Sequence, residues 1–215
     1  NGAIGRNRMN EKGVFITFEG CEGVGKSTHA KRLAAMLADR GAVFTREPGG
    51  TPVAEKIREI LISDTLTVSP EIEAELFAVQ RREHADNLIL PALRSGKTVV
   101  CDRYIDSSIA YQGFARGIGI DRVLELNEYI VKNCMPDVTL FFDMAPSESF
   151  RRRKGSVVEH DRFEGEKLEF HMACYAGFKE AARRFPQRIV SIIPDNDKEV
   201  TFQRVVSALK ERGIL

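Results

Sequence analysis

Four cysteines, Cys21, Cys101, Cys134 and Cys174, are spread through 215 residues with no C-x-x-C pair. That spacing suits neither a zinc site nor a disulfide framework, and it fits reduced thiols in a cytoplasmic protein. Charge of one sign is scarce too: 32 Lys and Arg against 31 Asp and Glu leave a formal net charge of +1. A near-neutral chain has no bulk electrostatic drive toward nucleic acid or an acidic membrane, so an anion has to be bound by a local cluster. No apolar stretch reaches the roughly 18 residues that span a bilayer, and no apolar signal core follows the first residues. Repeats, low-complexity tracts and an interdomain linker are missing as well, which predicts one domain over residues 9–215. Residues 1–8 carry no periodicity and are expected to be an appended remnant or a disordered start.

What is present is enough apolar matter for a sizeable core, 43% hydrophobic against 29% charged. Residues 14–18 read as a buried strand, followed by a helical pattern over 26–40 with Leu33, Met36 and Leu37 in phase and a stop at Gly41. "AVFTREPGGT" gives a short strand and a glycine-rich turn. "PVAEKIREILI" restores the helical period, and a longer helix is expected over about 70–95. "KTVVCD", "VTLFFD" and "RIVSII" are three more apolar strands separated by helical segments. Five short strands alternating with helices predict an α/β fold: a five-stranded parallel sheet, helices on both faces and right-handed crossovers. Such a sheet binds ligands at the carboxyl ends of its strands.

"GCEGVGKS", residues 20–27, follows the first strand and precedes a helix, the context in which G-x-x-x-x-G-K-S/T is a phosphate cradle. Glycines allow successive backbone N–H groups to turn onto an anion, and the helix N-terminus adds its positive end. Lys26 reaches the outer phosphates and Ser27 ligates magnesium. A nucleoside triphosphate with Mg2+ is therefore the expected ligand, held by Gly20, Glu22, Gly23, Val24, Gly25, Lys26, Ser27 and Thr28. A guanine-reading N-K-x-D is missing, so the GTPase class is not supported.

"CDRYIDSSIAYQG", residues 101–113, packs an acid, an arginine, serines, tyrosines and a glutamine beside another strand end. Arg103 has the planar fork that clamps a phosphate, and Asp102 stands where an acid orients magnesium; the alternative is a plain Asp102–Arg103 ion pair. A second phosphate clamp is needless in a nucleotide-dependent switch or binding protein, which argues for an enzyme with a small acceptor.

Together and in order, "FEGCEGVGKST", "REPGGT", "LFAVQRREH", "DRYIDSSIAYQG" and "DRFE" resemble the thymidylate kinase family, bacterial type, over about residues 14–200. The resemblance implies a nucleoside monophosphate kinase fold of the P-loop class. It implies transfer of the γ-phosphoryl of ATP to thymidine monophosphate, in dTTP biosynthesis, by a cytoplasmic homodimer with Mg2+. Another nucleotide or nucleoside kinase of the same fold is the nearest alternative.

By resemblance, Arg103 grips the acceptor phosphate and Glu22 faces the acceptor sugar's 3′-hydroxyl. Pro48 lines the nucleotide, Phe77 stacks on thymine, Arg81 donates to a thymine carbonyl, and Ser108 and Gln112 bond the base edge. Tyr111 packs near the sugar's second carbon, which favours deoxyribose. Arg46 is near this wall, where its charge could equally pair with Glu47. The resemblance also implies a lid over about 150–164. Gly23 stands where eukaryotic-type relatives carry a catalytic arginine, so the lid must supply the charge. The family's usual R-x-x-x-R spacing is compressed here into "RRRKG", and the catalytic set expected is Lys26, Arg103, Arg152, Arg153 and Arg162.

Overall fold

A computed structural model of the chain describes residues 13–153, 163 and 166–215, with Arg153 by its backbone alone. Residues 1–8, most of the expected lid and Arg162 lie outside the described residues.

Five strands form one parallel sheet: β1 (Phe15–Gly20), β2 (Val43–Arg46), β3 (Val99–Asp102), β4 (Val138–Phe142) and β5 (Ile189–Ile192). Their order is β2-β3-β1-β4-β5, which puts β1 in the middle. Every residue of β1 and β4 is buried, because a parallel sheet covered on both faces calls for continuous apolar runs rather than alternation. The pleat still divides β1 between two cores. Phe15 joins Ile89, Val99, Tyr104 and Ile130 on one face, while Ile16 and Phe18 join Leu33, Leu140 and Val205 on the other. Thr17 and Thr139, in register across β1 and β4, satisfy each other's hydroxyls at 2.8 Å.

Helices α1 (Lys26–Met36), α2 (Pro52–Ile62), α3 (Pro70–His84) and α4 (Leu90–Arg94) fill the connections before β3. Between β3 and β4 lie α5 (Ile105–Ser108), α6 (Ile120–Leu126) and α7 (Glu128–Asn133). The chain continues with α8 (Pro146–Arg153), α9 (Leu168–Arg184) and α10 (Lys198–Glu211). Thr51 and Ser69 cap α2 and α3 by accepting from backbone N–H groups three residues on, and each helix has proline in its first turn.

Two expected spans differ. The pattern over 26–40 ends as α helix at Met36 and closes with a tighter turn, Ala38–Arg40, before Gly41. The helix expected over 70–95 is interrupted by a wide π turn at Ala85–Ile89. Pro91 is the cause, since it offers no N–H and its ring would press on the carbonyl of Asn87. A second wide segment, Ile109–Ala115, follows α5 and packs on α9 at Gly177, where a Cβ would lie 2.8 Å from the Ala110 Cα. A glycine is needed there for the backbones to approach.

Candidate active site

The loop between β1 and α1 lies at the carboxyl end of the central strand. Gly20 opens it at φ +140°, with no room for a side chain: a Cβ would sit 2.8 Å from the Phe142 carbonyl oxygen. Val24 anchors the loop in the core, while Gly23, Ser27 and Thr28 face outward. Lys26 is 5% exposed, and its Nζ donates to the Cys21 carbonyl at 3.0 Å. Burial, reinforced by the charge of Arg103, holds its amine below the usual lysine range.

Arg103 sits one residue past β3 at φ +70°, a left-handed conformation costing a non-glycine residue about 1–3 kcal/mol. Glu19, fully buried in β1, over-determines that turn. Its Oε1 accepts from the backbone N–H groups of Tyr104 at 2.7 Å and Ser107 at 3.1 Å, and its Oε2 from the Ser107 hydroxyl at 2.6 Å. Ser107 Oγ in turn accepts from Arg103 Nη1 at 3.0 Å. Burial, with the Asp106 charge adding to it, pushes the Glu19 carboxyl up to about 8. Arg103 is thus aimed by a chain of bonds starting in the sheet. Its partner is Glu22, whose carboxylate it meets in an ion pair, rather than neighbouring Asp102. Glu22 Oε2 lies 3.9 Å from Lys26 Nζ, and the Tyr111 hydroxyl donates to Glu22 Oε1 at 3.4 Å. The Glu22 backbone belongs to the loop, and its side chain turns to Arg103 and Tyr111.

A cavity of about 440 Å³ runs from Lys26, Ser27 and Asp102 past Arg103 to Phe77, Arg81, Tyr111 and Gln112, with Pro48 on its rim. The cradle and the predicted acceptor residues therefore share one space. Phe77 and Tyr111 both pack against Phe163, at ring separations of 6.1 and 5.9 Å.

Ser107, which sequence reasoning passed over, lines the cavity; Ser108 lies behind it, accepting from Arg81 Nη2 at 2.9 Å. Arg81 is 1% exposed and largely committed within the protein. It donates from Nε to Glu47 at 2.8 Å, from Nη1 to Asn127 at 2.9 Å, and from Nη2 to the Tyr104 carbonyl at 3.3 Å as well as to Ser108. A guanidinium carries five N–H groups, so one Nη1 hydrogen is left without a described partner.

The possible Arg46–Glu47 pair does not form. Neighbours on a strand point to opposite faces, and Arg46 pairs with Glu55 at 2.9 Å while Glu47 turns inward to Arg81 and His84. Lys31, Phe44, Arg58 and Ile62 also line the cavity and were not foreseen. No motif marks them; the fold alone brings β2 and α2 to the cradle.

Of the predicted lid set, Arg152 is tied to Glu148 at 2.5 Å and to the Asp195 carbonyl at 3.2 Å, away from the residues that line the cavity. The Arg153 side chain and Arg162 lie outside the described residues.

The predicted magnesium residues fit a cation. Asp102 Oδ1 is buried without a hydrogen-bond partner among the described residues, and Asp102 lines the same cavity as Ser27. One carboxylate and one hydroxyl are the sparse donor set that Mg2+ uses when phosphates and waters supply the rest.

Residues 18–205 match the family model described as thymidylate kinase. The chain is 42% identical to the thymidylate kinase of Oceanobacillus iheyensis over 211 residues, covering 94% of each chain. It is 42% identical to that of Bacillus licheniformis over 203 residues, 93% of this chain and 96% of the relative. Its fold superimposes on the crystal structure of thymidylate kinase from Ehrlichia chaffeensis with a TM-score of 0.76 and 32% identity, covering 93% of this chain and 99% of that one.

Proposed function

This chain belongs to the thymidylate kinase family, and from that premise we propose how it moves the γ-phosphoryl group of ATP onto thymidine monophosphate to give the diphosphate. The observation that carries the reading is the short path from Lys26 through Glu22 to Arg103 inside one cavity. A cation on the donor side and a cation on the acceptor side flank the place where a phosphoryl group would cross.

The cradle's backbone N–H groups and Lys26 hold the donor phosphates, and Arg103 grips the acceptor phosphate. Phe77 stacks on the base, the Nη1 hydrogen of Arg81 that has no partner among the described residues donates to a thymine carbonyl, and Gln112 meets the base edge. Glu22, a hydrogen-bond acceptor, takes the sugar's 3′-hydroxyl once Arg103 turns to the phosphate. Tyr111, packed against Phe163 and Phe178, crowds the position of a ribose 2′-hydroxyl and favours deoxyribose. Phosphoryl transfer needs little covalent chemistry from the protein, so this alignment and charge are the main catalytic contribution. A lid arginine completes the charge on the transferring group: Arg153 or Arg162, or Arg152 once it leaves Glu148 and the Asp195 carbonyl.

Ser27 and Asp102 would hold Mg2+, which when bound would neutralise charge on the donor phosphates. The enzyme acts as a homodimer in the cytoplasm. The dimer reading is supported by apolar side chains exposed on α3 and α7, Ile72, Val79 and Val131, of which Val79 lines a hollow of about 230 Å³ between α3, α6 and α7. The cytoplasm is supported by four cysteines that are all free. Sedimentation of the purified chain tests the dimer.

The test of the reaction is acceptor-stimulated turnover. ADP release should rise at least about 10²-fold on adding thymidine monophosphate, with thymidine diphosphate formed mole for mole. Slow ATP hydrolysis indifferent to the acceptor would sink the assignment.

A further inference from the structure

Gln112 presents its amide to the cavity in one orientation, and a residue outside the predicted site decides which. Gln112 Nε2 donates to Glu73 Oε1 at 2.8 Å, and no described residue donates to the Gln112 carbonyl oxygen. Glutamine is ambiguous about which end points where until a partner settles it. A carboxylate settles it, because it accepts hydrogen bonds and has none to give. Glu73 is itself 1% exposed and well held: Arg116 Nε lies 3.5 Å from the same oxygen, and Arg116 Nη2 reaches Glu166 at 2.7 Å. The buried acid has its countercharge, and the amide has one favourable orientation.

We propose that Glu73 is the positioning residue that turns the Gln112 carbonyl oxygen toward the base, so that the acceptor site selects pyrimidines with an imino N–H over cytosine. The inference rests on reading this site as the monophosphate acceptor. Uracil and cytosine have rings of one size and differ in hydrogen-bond polarity: uracil and thymine carry N3–H, cytosine a bare N3 lone pair. Opposite a fixed carbonyl oxygen, N3–H forms a bond, whereas the cytosine lone pair meets another lone pair and leaves two buried acceptors unpaired. Sites built on such bonds discriminate far more sharply than apolar pockets do. Phe77 and Phe163 line the cavity with aromatic surface; Glu73 sets the polarity of its edge.

The measurement is kcat/KM for deoxyuridine and deoxycytidine monophosphates, which lack the thymine methyl and isolate the N3 contact. The native protein should favour the uracil nucleotide. In Glu73→Gln the new amide can accept or donate, the Gln112 amide is released to turn over, and the preference should fall by about tenfold or more. Thymidine monophosphate should then lose through KM, with kcat kept. The swapped pair Glu73→Gln with Gln112→Glu keeps the net charge and the bond, leaves an acceptor facing the base, and should restore the preference. It also carries the test if the single variant fails to fold. A native preference that survives Glu73→Gln, or that the swapped pair lacks, overturns the role of Glu73. A native protein with no preference overturns the acceptor assignment itself, before any variant is made.

Discussion

Glu22 and Arg103 form an ion pair across the gap between the phosphate cradle and the end of β3, with the second Glu22 oxygen 3.9 Å from Lys26. An acid inside a phosphate cradle is therefore not aimed at the donor phosphates. Its carboxylate lies between two cations, Arg103 and Lys26.

Replacing Arg103 by lysine keeps the charge and loses the fork. The acceptor kcat/KM should fall by about 10²-fold while the ATP dissociation constant stays nearly unchanged, as steady-state kinetics and calorimetry would register. A loss of ATP affinity of the same size would put Arg103 on the donor instead.

Glu22→Ala removes the carboxylate proposed to accept from the sugar hydroxyl. Native protein should prefer thymidine monophosphate to its 3′-deoxy analogue, and the variant should use the two within about threefold of each other. An undiminished preference would detach Glu22 from the sugar.

Glu19 makes stability depend on pH. Its carboxyl is raised from 4.5 to about 8, chiefly by burial, so the folded state holds the proton more tightly than the unfolded chain. The contribution is complete below pH 4.5 and is lost as pH rises through 8. Urea unfolding at pH 6 and pH 9 should therefore show native protein losing stability on the order of 2 kcal/mol more than Glu19→Gln does. Equal losses would mean that Glu19 is ionised at both values.

Much of this was legible in the sequence, and the limits have physical causes. The cradle and the parallel sheet were readable because backbone chemistry fixes glycine spacing and continuous burial fixes apolar runs. The wide turns at Ala85–Ile89 and Ile109–Ala115 were not, since inference of shared faces assumes 3.6 residues per turn. Arg81 was placed beside the base, but its commitment to Glu47 and Asn127, 34 and 46 residues away, leaves no local trace. Glu73, an acid in the first turn of α3, belongs to none of the sequence motifs. Its four-residue steps to Phe77 and then Arg81 are the signal that would have put it on the same face.

Asp102→Asn keeps the size of the side chain and removes its charge. The Mg2+ concentration for half-maximal turnover should rise about tenfold or more, with thymidine monophosphate affinity measured without ATP unchanged. An unaltered Mg2+ requirement would assign the orphaned Oδ1 to something other than the cation.

The most direct test of the whole account is an acceptor panel under one set of conditions. ADP formation is followed with thymidine, deoxyuridine, deoxycytidine, adenosine and guanosine monophosphates, and with thymidine itself. Thymidine monophosphate should give the highest kcat/KM, deoxyuridine monophosphate should follow, and thymidine, with no phosphate for Arg103, should be nearly inert. A purine or cytosine nucleotide matching thymidine monophosphate would contradict the account.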